Sequence, residues 1–112
     1  MSSLIKEIIE RLQEEKLVFK SMTPLSPKEF GSRKKIDIYL AVDLQKYYAC
    51  ILHVVKKSRI LSKEAKELME FHQKLEVYNE SKITKKYIYI QAPLCSKAKA
   101  LFKEAKWVVL LE

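Results

Sequence analysis

Apolar and polar residues change their period several times along the chain, and each change marks an element. Leu4, Ile5, Ile8, Ile9 and Leu12 recur at helical spacing among Glu7, Glu10, Arg11, Glu14 and Glu15, which predicts an amphipathic helix over 3–15 capped by Ser2 or Ser3. Leu17, Val18 and Phe19 read as a short strand. The stretch 22–32 gathers Pro24, Pro27 and Gly31 and reads as an irregular loop. Strict alternation follows over 35–43, with Ile36, Ile38, Leu40 and Val42 on one face and Asp37, Tyr39 and Asp43 on the other. A four-residue connection, 43–46, is short enough for a hairpin into a strand over 47–57, whose unbroken apolar run 49–55 points to burial on both faces.

The second half alternates helix and strand. Ser62 caps a predicted helix over 62–75, with Ala65, Leu68, Met69, His72 and Leu75 along one side. A strand over 87–92 stops at Pro93, a helix capped by Ser96 runs to Lys106, and Trp107 to Leu111 forms a final strand. The order α-β-β-β-α-β-α-β predicts an α/β fold: a single compact domain over 1–112 with a mixed central β-sheet flanked by helices. The last two crossovers set parallel strands side by side.

Composition narrows the function classes. The 112 residues, 48% hydrophobic and 32% charged, suit one soluble domain. No apolar run approaches the roughly 18–20 residues of a membrane span, and the charged N-terminal stretch lacks a signal-peptide core, so no membrane partner and a cytoplasmic location are expected. Gly31 is the sole glycine, which removes Gly-rich phosphate loops and, with them, most small-molecule nucleotide cofactors. Cys50 and Cys95 lie in apolar stretches, and with His53 and His72 they complete no zinc spacing. His53, on a core strand, reads as a buried structural histidine before a catalytic base.

Charge adds a partner. Twenty-two Lys and Arg against fourteen Asp and Glu leave a net charge of +8. The excess gathers around Lys56, Lys57, Arg59 and Lys63, and again at Lys82, Lys85, Lys86, Lys97, Lys99, Lys103 and Lys106, while the first fifteen residues are net acidic. The plain reading of such runs is a solvated surface. The sharper one is a phosphate-contacting ridge over Lys56, Lys57, Arg59, Lys63, Lys85, Lys86, Lys97 and Lys99, with Lys97 and Lys99 opening a helix whose free N–H groups also suit phosphate. Tyr39, Tyr47, Tyr48, Tyr87 and Tyr89 could stack on bases, although strand tyrosines more often serve the sheet.

With these residues in view, the chain resembles the PD-(D/E)XK nuclease fold of restriction endonucleases and archaeal Holliday junction resolvases. The resemblance covers nearly the whole chain. It rests on the N-terminal helix, on the strand 35–40 carrying an aspartate, on Ile51-Leu-His-Val-Val-Lys-Lys57 in place of a strand ending Glu-x-Lys, on the Ser62 helix, and on Tyr87-Ile-Tyr-Ile-Gln-Ala-Pro93 followed by an Ala-containing helix. It implies a metal-binding role for Asp37, a nucleophile-positioning role for Lys57 or Lys56, and Mg²⁺ as cofactor if the site is active. The sequence departs from the pattern at the glutamate, because Val55 and Val54 stand two residues before these lysines. Some enzymes of the class take the acid from the next helix, with twelve residues between the lysine and the glutamate, and Lys57 and Glu70 have that separation.

The expectation is therefore a nucleic-acid-binding protein, directed at DNA, with an inactive metal site and no cofactor, acting as an accessory or architectural subunit and pairing as a homodimer. Two alternatives stand beside it. One is an active Mg²⁺-dependent endonuclease or resolvase with catalytic Asp37, Glu70 and Lys57, in which Asp37 and Glu70 hold the metal. The other is a protein-interaction or assembly module using the apolar strand that begins at Trp107.

Overall fold

The computed structural model describes residues 2–32 and 36–111, with side chains from Lys6 onward in the first helix. The elements are α1 (Ser2–Glu14), β1 (Phe19–Leu25), a 3-10 turn (Pro27–Phe30), β2 (Asp37–Asp43), β3 (Tyr48–Val55), α2 (Ser62–Asn79), β4 (Lys85–Gln91), α3 (Ser96–Glu104) and β5 (Val108–Leu111). The order is the expected one. Position 35, the expected start of the second strand, and the expected caps Ser2 and Ser3 lie outside the described residues and side chains.

The five strands form one sheet in the order β1-β2-β3-β4-β5. β1, β2 and β3 make an antiparallel meander, while β4 and β5 run parallel to β3. The β2-β3 hairpin closes on Asp43, whose Oδ1 accepts from the backbone N–H groups of Gln45 and Tyr47, each at 2.9 Å. That local bond lets Lys46 take a left-handed conformation at φ 73° and turns the chain tightly. α2 and α3 cover one face of the sheet. Their Leu68, Phe71, Leu75 and Phe102 pack on Ile38, Leu52, Val54, Ile88 and Ile90. The other face carries Tyr39, Ala41, Ile51, Tyr87, Tyr89 and Leu110 and is covered by Ile8 and Leu12 of α1. β3 is buried from Ala49 to Val54, on both faces as its apolar run implied.

Several boundaries differ from expectation. The irregular loop expected from residue 22 begins only after Leu25, because β1 continues through Pro24, which pairs with Tyr39. β1 is an edge strand, the place in a sheet where a proline is tolerated. Ser26 then caps the 3-10 turn reciprocally. Its hydroxyl accepts from Lys28 N–H at 3.3 Å, and its own N–H donates to the Glu29 carboxylate at 2.8 Å. Leu61 and Cys95, rather than Ser62 and Ser96, hold the N-cap positions of α2 and α3. The cause is a parallel bridge between Ile60 and Leu94 that keeps both chains extended to that point, with Ile60 N–H donating to Pro93 and Cys95 N–H to Ile60. α2 also continues past Leu75 to Asn79, where Glu80 ends it at φ 54°. No helix among the described residues is long and apolar enough to cross a membrane.

Candidate functional site

Strand register assembles a polar row on the face beneath α1. Asp37 of β2 pairs with His53 of β3, His53 with Tyr89 of β4, and Val55 with Gln91. His53 is 0% exposed. Its ring stacks on Tyr89, with centroids 4.9 Å apart and planes 5° apart, and its Nε2 lies 2.5 Å from Gln91 Oε1. On the other side Nδ1 stands 3.8 Å from Asp37 Oδ2 and has no hydrogen-bond partner. The Asp37 side chain is 35% exposed. Burial, aided by the charge of Asp37, pushes the Tyr39 hydroxyl up to about 12.

α1 walls the same face with carboxylates. Glu7, Glu10, Glu14 and Glu15 border a cleft of about 590 Å³ floored by Tyr89, Gln91 and Leu111. Arg11 crosses it, pairing with Glu15 at 2.9 Å and donating from Nε to the Leu111 carbonyl at 3.1 Å. The sequence shows the first fifteen residues as net acidic but not that these acids wall a cleft on the sheet. The wall's signal was present in the acids spaced three and four apart on α1.

A second cleft, of about 600 Å³, opens beside the first at the C-terminal ends of the parallel strands. Lys56, Lys57, Gln91, Pro93, Lys99 and Leu111 line it. Parallel strands followed by helices bring the starts of α2 and α3 to this one end of the sheet, where Arg59 and Lys97 both lie close enough to Cys95 to act on its thiol. Lys56 donates to Glu64 at 2.7 Å, while Lys57 and Arg59 are exposed on the turn after β3. The Cys95 sulfur faces the N–H groups of Ala98 and Lys97, which hold its thiol below the ordinary value, with Arg59 and Lys97 adding to the effect.

Lys85 and Lys86, grouped with these lysines by sequence, begin β4 and therefore sit at the opposite end of the sheet. Lys85 donates to Asp43 at 2.6 Å, and Lys86 to the Ala105 carbonyl at 2.5 Å with its ammonium over the Trp107 ring. Of the tyrosines, Tyr39, Tyr87 and Tyr89 are buried in the sheet, and Tyr47 is exposed under Lys85.

No protein-family model and no curated protein matches the chain. Solved structures do. A repair endonuclease from Pyrococcus abyssi superposes with a TM-score of 0.57 at 14% identity over 100% of this chain, and EndoMS in its apo form with 0.59 at 13% over 96%. EndoMS in a complex with double-stranded DNA superposes with 0.52 at 16% over 96%. The chain has the restriction-endonuclease-like fold. It spans less than half of those chains, namely 45%, 45% and 43% of their lengths.

Within the restriction-endonuclease-like fold, the residues needed for Mg²⁺ do not converge. Asp37 faces the α1 side of the sheet, whereas Glu70 lies on the outer side of α2, which covers the other face. Lys57 stands on the turn beyond β3. Among the described residues, no three His, Cys, Asp or Glu side chains form a metal-holding group. Mg²⁺ demands oxygen ligands in near-octahedral array, and beside Asp37 the fold offers a buried imidazole. The donor set does not fit that ion.

Proposed function

We propose that this domain is a nucleic-acid-binding module of nuclease-like fold that grips DNA phosphates at the basic end of its sheet, without Mg²⁺-dependent cleavage. The observation that carries this reading is the convergence of Lys56, Lys57 and Lys99 on one cleft, with Arg59 and Lys97 near Cys95 at the same end of the sheet. The N-termini of α2 and α3 meet there and add partial positive charge. The neighbouring carboxylates of α1 repel a polyanion and confine it to that end. A structure of the same fold in complex with double-stranded DNA supports DNA as the ligand. The role is accessory or architectural, in the cytoplasm, with two copies paired.

Fluorescence anisotropy with duplex, single-stranded and branched DNA across a salt series tests the reading. The logarithm of the binding constant falls linearly with the logarithm of salt concentration as counterions are released. Affinity that ignores salt overturns it. Cleavage in Mg²⁺ that disappears in Asp37→Ala overturns the non-catalytic part and favours the set Asp37, Glu70 and Lys57.

One observation favours a second reading. β5 is an edge strand of four apolar residues with Val108 and Leu111 exposed, which suits pairing with another chain's edge. Salt-independent association accompanied by a concentration-dependent mass supports an assembly module.

A further inference from the structure

We propose that the end of the sheet opposite the basic cleft is a second nucleic-acid contact, one that takes the unpaired bases of a single-stranded segment on the β2-β3 hairpin. β1 and β3 start at this end and β2 finishes there, so the turn after α1 and the hairpin stand side by side. Together they border a cleft of about 290 Å³ lined by Lys16, Val18, Phe19, Leu44, Lys85 and Tyr87. Three large apolar side chains of the two turns are left in solvent: Val18 is 57% exposed, Leu44 67% and Tyr47 55%. Apolar residues scattered singly on a surface need no explanation, whereas a group on adjoining turns marks a contact. The charge beside them identifies the partner. Lys16 and Lys46 are exposed on the same two turns, and Lys85 Nζ stands 5.8 Å from the centre of the Tyr47 ring. The neighbouring carboxylates are taken, Asp43 by Lys85 and the hairpin amides, Glu14 and Glu15 by Arg11.

The hairpin backbone points the same way. Lys46 holds φ 73°, a left-handed conformation that penalises a residue with a Cβ and suits Gly, Asn or Asp. Lys16 and Lys106 are left-handed too, at φ 60° and 64°, but each follows a helix, whose negative end a lysine suits. Lys46 sits between two strands, so no helix dipole accounts for its charge. Any base stacks on an exposed aromatic ring, while lysines beside the ring hold the backbone phosphates. Tyr47 with Leu44 supplies the apolar platform, and Lys46 with Lys16 the charge. A duplex keeps its base faces inside the stack, so the exposed apolar side chains favour an unpaired strand. β3 parts the two contacts by eight residues, roughly 25 Å, and the acidic wall of α1 lies along one face. The hairpin therefore takes a segment separate from the one in the basic cleft. The inference shares its ligand class with the proposed function but does not need the basic cleft, and the two fail separately.

The test follows the ¹⁵N-labelled full chain by NMR as hexathymidylate is added, in the parent and in a variant carrying Lys57→Glu and Lys99→Glu, which disables the basic cleft. Hexathymidylate is expected to shift the amides of Leu44, Gln45, Lys46 and Tyr47 saturably in both proteins. In the cleft-disabled variant, Tyr47→Ala weakens binding about fivefold or more, and Tyr47→Phe, which keeps the ring, by less than about twofold. Tyr47 is exposed, so neither change disturbs the core. Shifts confined to the end of β3 and the start of α3 overturn the proposal and leave the basic cleft standing. Equal affinity in Tyr47→Ala overturns it, as do hairpin shifts that inorganic polyphosphate or a blunt duplex reproduces at the same concentration. Hairpin shifts with phosphatidylserine vesicles and none with hexathymidylate overturn it in favour of a lipid surface. An absence of shifts with hexathymidylate and duplex alike overturns both this proposal and the nucleic-acid reading.

Discussion

Lys85 Nζ donates to Asp43 Oδ2 across 2.6 Å, tying the first residue of β4 to the last of β2 with β3 between them. The bond holds the Asp43 carboxyl below its ordinary range, and the backbone N–H groups of Tyr47 and Gln45 act in the same direction against burial. A folded-state value below the unfolded one, about 3.9, means that this stabilisation is complete above that pH and is lost as pH falls through the lower folded value. Lys85 is raised chiefly by the same hydrogen bond, so its contribution is complete below about 10.4 and is lost as pH rises through the higher folded value. Asp43→Asn keeps the turn acceptor but not the charge. It is expected to be less stable than the parent at pH 7, with the gap closing towards pH 2 in urea titrations. A gap that is constant with pH refutes the linkage.

The core behind α2 sets a stability contrast. Leu68 is fully buried against Ile88 and Ile90, whereas Val77 on the same helix is 78% exposed. Leu68→Ala should cost about 2–5 kcal/mol through lost transfer energy and the cavity left behind. Val77→Ala should change stability by no more than about 0.5 kcal/mol. Chemical denaturation of both variants checks the ratio.

Gly31 ends the 3-10 turn at φ 71°, and a Cβ built there meets nothing within 4 Å. Substitution therefore meets only the backbone preference, roughly 1–2 kcal/mol for Gly31→Ala and less for Gly31→Asn, whose side chain tolerates left-handed backbone. Equal losses in the two variants would point to a contact the structure does not show.

At the basic cleft, Lys57→Glu and Lys99→Glu should each weaken DNA binding uniformly across sequences and reduce the salt slope by about one or more. Lys20→Glu, on the exposed edge strand β1, makes the same change in net charge away from the cleft and should have the smaller effect. Three equal losses would reduce the interface to net charge alone.

The two thiols should part in reactivity. Burial pushes Cys50 up to about 12, whereas the helix N-terminus holds Cys95 low. Native protein treated with iodoacetamide should take one label, mapped to Cys95 by peptide mass. Cys50 should react only with the unfolding rate.

Periodicity made the architecture legible. Alternation over 36–42 and the apolar run over 49–55 became β2 and β3, and the two late helix-strand units became parallel strands on one sheet. Pro24 hid the second half of β1, because nothing local distinguishes an edge strand from a loop. The true caps were hidden too, since the Ile60–Leu94 bridge that sets them joins residues far apart in sequence. The lysines show the limit most plainly. Lys56 and Lys57 leave β3 while Lys85 and Lys86 enter β4, and parallel pairing parts the two pairs by the length of a strand. The Asp37, His53 and Gln91 row comes from three strands and is visible only in the register.

Among its described side chains, α1 holds its face of the sheet through the buried Ile8 and Leu12 and through the Arg11 bond to the backbone of β5. The opposite face is held by two helices sharing a much larger core. The domain is therefore asymmetric in cooperativity as well as in charge. Hydrogen exchange should find the amides of α1 opening in a local event far below global unfolding, baring the histidine row while the parallel strands stay closed.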